Sequence, residues 1–147
     1  MYEDKGKIKV LFLCTGNSYR SQMAEGWARW LKGDCIEPFS AGVNPCFVNP
    51  RAVKVMAEAG VDISNHTSKR ISDLAGIEFD YVVTLCDDAK EQCPVFPGKT
   101  RLVHKGFKDP ACAVGSEEEI TGTFRKVRGQ IRAFIETLPE GLETNFA

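Results

Sequence analysis

Short apolar runs alternate along the chain with longer segments in which apolar residues recur every three or four positions. The short runs are rich in β-branched residues, which is typical of buried strands. Four of them predict strands, at residues 7–13, 35–40, 80–85 and, with a weaker pattern, 100–104.

The longer segments predict helices. Residues 21–31 carry apolar side chains at helical spacing, among them Trp27 and Trp30, which we expect in the core. An Asn-Pro pair at residues 49–50 is typical of a helix N-cap followed by a first-turn proline, and this helix is predicted to end at Gly60.

A long C-terminal helix is predicted to begin after Ser116, which forms a capping-box pattern with Glu119. Its predicted apolar face consists of Ile120, Phe124, Val127, Ile131, Phe134, Ile135 and Leu138. A short polar helix is predicted at residues 87–92, whereas residues 1–6 and the segment after Pro139 are predicted to be loose polar tails.

This alternation predicts an α/β fold: a four-stranded parallel sheet with helices on both faces, within a single domain over residues 1–147. Ligands of such sheets bind beyond the carboxyl ends of the strands. Cys14 follows the first predicted strand, Cys86 follows the third, and Asp109 lies in the loop after the fourth. We therefore expect these three residues at one edge of the sheet.

The charge and cysteine content exclude several classes of function. The formal net charge is -1, so no overall field favours nucleic acid or an acidic membrane surface. Because no apolar run resembles a membrane span or a signal peptide, we expect a cytoplasmic monomer. In that reducing compartment the six cysteines should serve chemistry or packing, and without a C-x-x-C pair we predict no metal site.

Residues 14–21 (CTGNSYRS) join the first strand to the first helix. A loop that leads into a helix N-terminus offers unpaired backbone N–H groups and the positive end of the helix dipole. We therefore expect the amides of residues 15–20 to surround a tetrahedral oxyanion, with Gly16 permitting the tight curvature. The predicted oxyanion-binding residues are Thr15, Gly16, Asn17, Ser18, Tyr19 and Arg20.

Side chains of this loop suggest a reaction in addition to binding. The positive field would favour the thiolate of Cys14, which could then act as a nucleophile. The planar guanidinium of Arg20 would bind two oxyanion oxygens. Ser21 could donate a hydrogen bond to the Cys14 thiolate, and Asn17 could hold the loop in shape. The alternative is that Cys14 is a buried structural cysteine beside a helix-capping serine.

The segment at residues 13–27 (LCTGNSYRSQMAEGW) resembles the signature of the thioredoxin-coupled arsenate reductases, which share the fold and anion loop of the low-molecular-weight protein tyrosine phosphatases. Further matches are residues 39–42 (FSAG), 49–50 (NP), 62–68 (DISNHTS), 82–86 (VVTLC) and 106–110 (GFKDP), so the resemblance covers nearly the whole chain. It implies that the protein reduces arsenate to arsenite, with electrons from reduced thioredoxin and no bound cofactor.

The anion loop alone does not separate a reductase from a phosphatase, because arsenate and phosphate have nearly the same shape and charge. A cysteinyl phosphate can only be hydrolysed, whereas a cysteinyl arsenate is reduced when a second thiol attacks the cysteine sulfur. Cys86 is the candidate second thiol, since strands one and three are expected to be neighbours in this fold. Cys93 could then attack Cys86 and free Cys14. By resemblance, thioredoxin would reduce the Cys86–Cys93 disulfide.

Alternatives to this interpretation remain open. Cys86 and Cys93 could be incidental small residues, which would leave a phosphatase that uses Cys14, Arg20 and Asp109. A third possibility is a thiol sensor or oxyanion-binding regulator without catalysis.

The pair Asp109-Pro110 supplies a candidate general acid that would protonate the leaving oxygen as the thiolate attacks. The alternative is an ordinary Asp-Pro turn. Phosphatases with this scaffold typically carry tyrosines after the Asp-Pro pair, which line a slot for phosphotyrosine. Here residues 111–113 are Ala-Cys-Ala, which favours a reductase.

Two positions depart from the resemblance. Tyr19 stands where several arsenate reductases have an additional cysteine, which the three-thiol scheme does not require. Lys69 replaces an Asp found in relatives with a potassium site, where Glu25 is also a matching position. The Lys69 ammonium could take the place of the cation and pair with Glu25; the alternative is an exposed, solvated lysine.

Among the remaining candidates, His66 and His104 lack metal-ligand spacing and are expected to have polar structural roles. Cys35, Cys46 and Cys112 are expected to be packing or surface residues.

Overall fold

The computed structural model describes residues 6–96, 98–110 and 113–143. Four strands form one parallel sheet in the order β2-β1-β3-β4. The strands are β1 (Ile8–Cys14), β2 (Ile36–Gly42), β3 (Tyr81–Thr84) and β4 (Arg101–His104). The predicted α/β fold with a four-stranded parallel sheet is confirmed.

Helices connect the strands, as the apolar spacing predicts. They are α1 (Arg20–Lys32), α2 (Pro50–Glu58), α3 (Asp87–Glu91), α4 (Glu117–Glu136) and α5 (Glu140–Glu143), with a 3₁₀ turn at Ile71–Leu74. The predicted caps are present: the Asn49 side chain accepts a hydrogen bond from the Arg51 amide at 2.8 Å. Ser116 and Glu119 exchange side-chain-to-backbone hydrogen bonds of 2.7 and 3.1 Å.

The middle of β1 is fully buried. Residues Val10, Leu11, Phe12 and Leu13 each have 0% exposure, although successive side chains of a strand point to opposite faces. Both faces of the sheet are therefore covered. Among the helices, α1 packs against β2 and α4, α2 packs against α4, and α3 contacts β1 and β3. Buried residues of α4 include Phe124, Val127, Ile131, Phe134 and Ile135, from the predicted apolar face.

Two predictions about packing are wrong. Trp27 is buried, but Trp30 is 64% exposed, because the buried part of α1 covers residues 20–28 and ends before the last turn. The segment after Pro139 is not a loose tail as far as the structure describes it. Residues 140–143 form α5, and Leu142 is fully buried in the core.

The register of the sheet places the ends of β1 and β3 at the same level. Leu13 is paired with Thr84, and the Leu85 amide donates a hydrogen bond to the Leu13 carbonyl at 2.9 Å. Cys14 comes one residue after Leu13 and Cys86 two residues after Thr84, so the two cysteines lie at the same edge of adjacent strands. No helix in the described part of the chain is both long and apolar enough to cross a membrane.

Candidate active site

The backbone of the loop between β1 and α1 is held from outside. Five consecutive carbonyls accept hydrogen bonds from donors beyond the loop. The pairs are Cys14 with the Val43 amide (3.1 Å), Thr15 with the Asn44 amide (2.8 Å), Gly16 with the Cys46 amide (3.1 Å), Asn17 with the Gln22 side chain (3.0 Å) and Ser18 with the Asn49 amide (2.9 Å). Four of the five donors are backbone amides, and they belong to the segment that follows β2.

Outward carbonyls fix the direction of the amides. In a trans peptide the C=O of one residue and the N–H of the next point in opposite directions. Because the carbonyls of residues 14–18 are bound from outside, the amides of residues 15–19 face the inside of the loop. They lie at the N-terminus of α1, whose dipole is positive there. The loop thus has the orientation that an oxyanion cradle requires.

Asn17 and Gly42 keep the loop in this shape. Asn17 has a positive φ of 47°, and its Oδ1 accepts a hydrogen bond from the Lys69 amide at 2.8 Å. Gly42, at the end of β2, touches the loop directly. A Cβ atom on Gly42 would lie 2.7 Å from the Thr15 carbonyl oxygen and 2.8 Å from the Asn17 nitrogen. Only glycine fits there without displacing the backbone.

The sulfur of Cys14 lies 2.9 Å from the hydroxyl oxygen of Ser21, and both residues are buried. Asn17 Nδ2 donates a hydrogen bond of 2.8 Å to the same hydroxyl oxygen. Since that oxygen already accepts a hydrogen bond from Asn17, its own hydrogen is free to point at the sulfur. Ser21 is therefore oriented to stabilise a thiolate, as the sequence predicts.

Arg20 is buried beside the loop. One terminal nitrogen donates to the Phe107 carbonyl at 3.0 Å, and the other lies 3.8 Å from Asp109 Oδ2. Its Nε is buried and has no hydrogen-bond partner among the described residues. Buried donors are normally satisfied, so this nitrogen is suited to bind a ligand oxygen.

Cys86 is the N-cap of α3 and is 9% exposed. Its sulfur accepts a hydrogen bond from the Ala89 amide at 3.4 Å and lies 3.3 Å from Thr15 Oγ1. Thr15 immediately follows Cys14, so Cys86 contacts the residue next to Cys14 in the anion loop. The structure brings Cys14 and Cys86 together as the sequence predicts.

Cys93 lies farther out, after the end of α3. It is half-buried, and burial raises the pKa of its thiol. The intervening helix is short, and Ala89 is its buried residue. The six residue steps from the N-cap Cys86 to the C-cap Gln92 rise about 9 Å, at about 1.5 Å per residue, and Cys93 follows Gln92. This rise exceeds the roughly 7 Å that a disulfide permits between Cα atoms. A bond between Cys86 and Cys93 therefore requires α3 to unwind.

Asp109 meets the loop through two residues. Tyr19 donates a hydrogen bond from its hydroxyl to Asp109 Oδ1 at 2.5 Å, and Arg20 approaches the other carboxylate oxygen. Burial, followed by the hydrogen bond to Asp109, raises the pKa of Tyr19 above its ordinary value. The sequence placed Tyr19 in the loop through its amide but gave no sign of this side-chain contact. The residues Ala111 and Cys112 lie outside the described part of the chain.

These groups face one cavity of about 620 Å³, called here the anion cavity. It is lined by Cys14, Thr15, Gly16, Ser18, Tyr19, Arg20, Asn44, Cys46, Phe47, Asn49, Cys86, Asp87, Asp88 and Asp109. Sequence reasoning missed the contribution of residues 44–49. The sequence contains a partial indication of this contribution, because the segment follows Ser-Ala-Gly, the last three residues of β2. Cys46 is an exposed lining residue, and Cys93 is not part of the lining.

The predicted ion pair between Lys69 and Glu25 is not formed, and each side chain has another partner. Glu25 pairs with Arg29 at 2.9 Å and accepts a hydrogen bond from Ser40 at 2.5 Å. Lys69 instead donates from Nζ to the Thr67 carbonyl at 2.7 Å. Burial lowers the pKa of Lys69, and the nearby charge of Glu25 opposes this effect. The ammonium thus lies within the influence of Glu25 without contacting it.

The histidines have polar partners. His66 Nδ1 lies 2.9 Å from Gln22 Oε1, and His104 Nδ1 lies 2.8 Å from Thr84 Oγ1. Within the described ranges, no group of three or more potential ligand side chains could hold a metal ion. Cys14, Cys35, Cys46, Cys86 and Cys93 are all free thiols, and Cys112 lies outside the described residues.

Together these features can hold a tetrahedral oxyanion against the Cys14 thiol, in a cavity that the Arg20 guanidinium and the Asp109 carboxyl group also line. Fold and site define a class of protein with a cysteine at the base of a main-chain anion cradle. The family model of the low molecular weight phosphotyrosine protein phosphatases matches residues 9–146. The chain belongs to this family.

Its relatives include reductases. An arsenate reductase of Halalkalibacterium halodurans is 49% identical over 134 residues, which cover 91% of this chain and 96% of the relative. A solved structure of an arsenate reductase in the phosphate-binding state has a TM-score of 0.71 at 32% identity and covers 92% of this chain and 98% of that one. A thioredoxin-dependent arsenate reductase of Corynebacterium glutamicum has a TM-score of 0.64 at 28% identity, over 92% of this chain and 63% of that chain.

Proposed function

We propose that this protein is an arsenate reductase that works through a relay of three thiols, Cys14, Cys86 and Cys93. The observation that carries the proposal is the presence of two free thiols, Cys14 and Cys86, in one anion cavity. A phosphatase of this family needs only the first. Relatives named arsenate reductases, at up to 49% identity over most of the chain, support the same assignment.

The first step is attack on arsenate. The oxyanion binds to the inward amides of residues 15–19 and to Arg20, and the Cys14 thiolate forms a bond with arsenic(V). An oxygen leaves as water after it receives a proton from Asp109. Ser21 stabilises the thiolate before the attack, because a thiolate can only accept and the Ser21 hydroxyl, 2.9 Å away, is then the donor.

The second step is the reduction. The Cys86 thiolate attacks the sulfur of Cys14, and a Cys14–Cys86 disulfide forms as the sulfur–arsenic bond breaks. The electron pair of that bond stays on arsenic, which leaves as arsenite in the trivalent state. Two thiols have supplied the two electrons, so the step is balanced. The contact of Cys86 with Thr15, the residue after Cys14, and the pairing of β1 with β3 support this transfer.

The third step moves the disulfide outward. The Cys93 thiolate attacks Cys86, releases the Cys14 thiolate and leaves a Cys86–Cys93 disulfide. For this, α3 has to unwind. A helix of five residues is marginal by itself, and Ala89 is its buried residue, so local unwinding exposes little apolar surface. Helix α3 is therefore a segment that can open without loss of the fold.

The final electrons come from a dithiol reductant, for which we propose reduced thioredoxin. The thioredoxin-dependent relative of Corynebacterium glutamicum supports this choice. The reductant would act on a disulfide of which one sulfur, that of Cys93, comes from outside the anion cavity, because Cys86 lines the cavity and Cys93 does not. A reducing compartment, the cytoplasm, follows from the same chemistry.

Hydrolysis of phosphate esters is the second candidate, and it is favoured by one observation. Cys14, Arg20 and Asp109 face one cavity, which is all that a family phosphatase requires. We therefore expect residual phosphatase activity in the reductase, because the first chemical step is shared.

One set of variants separates the two functions. We expect wild-type protein to oxidise NADPH continuously when arsenate, thioredoxin and thioredoxin reductase are present. Cys93→Ser should release one equivalent of arsenite and stop, and Cys86→Ser should release none. Both should still hydrolyse p-nitrophenyl phosphate. Continuous turnover by Cys93→Ser would contradict the relay, and no NADPH oxidation by wild type would contradict the function. Cys35→Ser is the matched control, since Cys35 lies at the opposite end of the sheet.

Opening of α3 is tested by hydrogen exchange. Oxidation to the Cys86–Cys93 disulfide should increase amide exchange in residues 86–93, while β1 and α4 remain protected. Unchanged exchange in that segment would rule out the unwinding step.

A further inference from the structure

The side chain of Tyr19 has no part in the relay described above, which uses only its amide. Its hydroxyl nevertheless reaches Asp109, 90 positions away in sequence, at 2.5 Å. Its ring packs edge-on against Phe124 of α4, with centroids 5.6 Å apart and planes at 70°. Tyr19 therefore joins three elements: the anion loop, the loop after β4, and α4.

We propose that Tyr19 is a positioning residue whose hydroxyl holds the Asp109 carboxyl over the anion cavity for proton transfer to the leaving oxygen. The proposal rests on the proposed function, in which Asp109 is the general acid. It assigns the work of orienting that acid to a residue inside the anion loop. Binding of the oxyanion and delivery of the proton are then set by one rigid unit.

The geometry of the carboxyl group supports this division. Tyr19 occupies Oδ1 as a donor, so Oδ1 faces the phenol. Oδ2 is the oxygen turned toward Arg20, at 3.8 Å from a guanidinium nitrogen. Because Arg20 also binds the oxyanion, Oδ2 is the carboxyl oxygen next to the ligand. Its proton moves to the oxygen that leaves arsenic as water, and Asp109 regains a proton from the next hydrogen arsenate or from solvent.

Tyr19 is suited to hold the acid and unsuited to replace it. Burial and the adjacent Asp109 carboxylate raise the pKa of Tyr19, so its hydroxyl remains a donor throughout the neutral range. Phe124 is 1% exposed and lies in the core, so the ring is packed against a fixed surface. A phenol that keeps its proton and whose ring packs on the core is a support for a carboxyl group on a loop.

A double-mutant cycle tests the coupling. The rate measured is arsenate-dependent formation of the Cys14–Cys86 disulfide in a single turnover, followed by rapid thiol alkylation. All proteins compared carry Cys93→Ser, so that this disulfide persists. We expect Tyr19→Phe to slow this rate by about tenfold to a hundredfold, the size of effect that small misplacement of a catalytic group produces. The arsenate concentration for half-maximal rate should change little. The double variant Tyr19→Phe/Asp109→Asn should be no slower than Asp109→Asn alone, whereas additive losses would overturn the proposal.

A second measurement does not depend on arsenate. Protein labelled with carbon-13 at the phenol carbon of its three tyrosines gives few signals, and Tyr19→Phe identifies the one that belongs to Tyr19. We expect Asp109→Asn to shift that signal, and an unmoved signal would overturn the Tyr19 contact whatever the reaction does. If Asp109→Asn shifts the Tyr19 signal but the wild-type protein forms no disulfide with arsenate, the Tyr19 contact stands and the proposed function is overturned. The control is Tyr81→Phe. The Tyr81 hydroxyl donates a hydrogen bond to Glu143, outside the anion cavity, so its removal should leave the Tyr19 signal in place.

Discussion

The hydroxyl oxygen of Ser21 lies between Asn17 and Cys14, at 2.8 Å from the side-chain nitrogen Nδ2 of Asn17 and 2.9 Å from the sulfur of Cys14. Because this oxygen accepts a hydrogen bond from Asn17, its own hydrogen can be donated to a thiolate at Cys14. The stability of the thiolate therefore depends on a side chain from the first turn of α1, in addition to the main chain of the loop.

Replacement of Ser21 by Ala should slow attack by Cys14. A hydrogen bond to a charged group contributes about 1.5–3 kcal/mol, which corresponds to a loss of about tenfold to a hundredfold in rate. The loss should be seen both in single-turnover arsenate reduction and in hydrolysis of p-nitrophenyl phosphate. Ser72→Ala, at an exposed position of the 3₁₀ turn, should change neither rate. Equal rates for Ser21→Ala and wild type would refute the role of Ser21.

Gly42→Ala should weaken oxyanion binding, because the new methyl group would overlap the Thr15 carbonyl and the Asn17 nitrogen. Overpacking of this kind costs about 1–3 kcal/mol, so we expect phosphate to bind about fivefold to a hundredfold more weakly in calorimetric titration. Gly129→Ala is the matched control. That helical position is open, so the exchange should leave binding unchanged and raise stability by about 1 kcal/mol. Normal phosphate affinity in Gly42→Ala would argue against the cradle.

Resolution of the Cys14–Cys86 disulfide by Cys93 should accelerate as the pH rises. Only the thiolate attacks, and burial raises the pKa of the Cys93 thiol above its ordinary value of 9.0. At neutral pH most Cys93 is therefore protonated, and each step upward in pH should increase the reactive fraction. The measurement is the reappearance of free Cys14 after one turnover between about pH 6 and pH 9, with mass spectrometry of alkylated peptides. A rate that stays constant over this range would show that Cys93 is not the attacking group.

Arsenate reduction should not require potassium. The Lys69 ammonium is half-buried and donates to the Thr67 carbonyl, so a positive charge already lies near Glu25. We expect equal kcat/KM in potassium and sodium chloride at the same ionic strength. Lys69→Asp removes that charge and adds a carboxylate, so this variant should be activated by potassium. Clear activation of the wild-type protein by potassium would contradict the prediction.

The sheet and the main helices could be predicted from the sequence because each depends on local pattern. The apolar runs are short and continuous where strands are buried on both faces, and Asn49 and Ser116 mark the helix starts. Trp30 shows the limit of this reasoning. A large apolar residue at helical spacing can still lie beyond the buried part of its helix, and the tertiary packing determines where that part ends.

The candidate site was predictable to the extent that it follows one sheet edge. Cys14 and Cys86 end neighbouring strands, so a topological rule was sufficient to bring them together. Contacts made by side chains across loops were not predictable. The hydrogen bond from Tyr19 to Asp109 and the position of Cys46 beside Gly16 depend on the path of segments that have no periodic pattern.

The outward-facing carbonyls of residues 14–18 have a consequence for how this family can diversify. In the proposed mode of binding the peptide groups hold the oxyanion, so the side chains of Thr15, Ser18 and Tyr19 can be exchanged without removing the groups that bind it. Those positions are then available for other tasks, and here Thr15 contacts a second thiol while Tyr19 contacts a carboxylate. New chemistry can arise around an ancestral binding loop without any change in what the loop recognises.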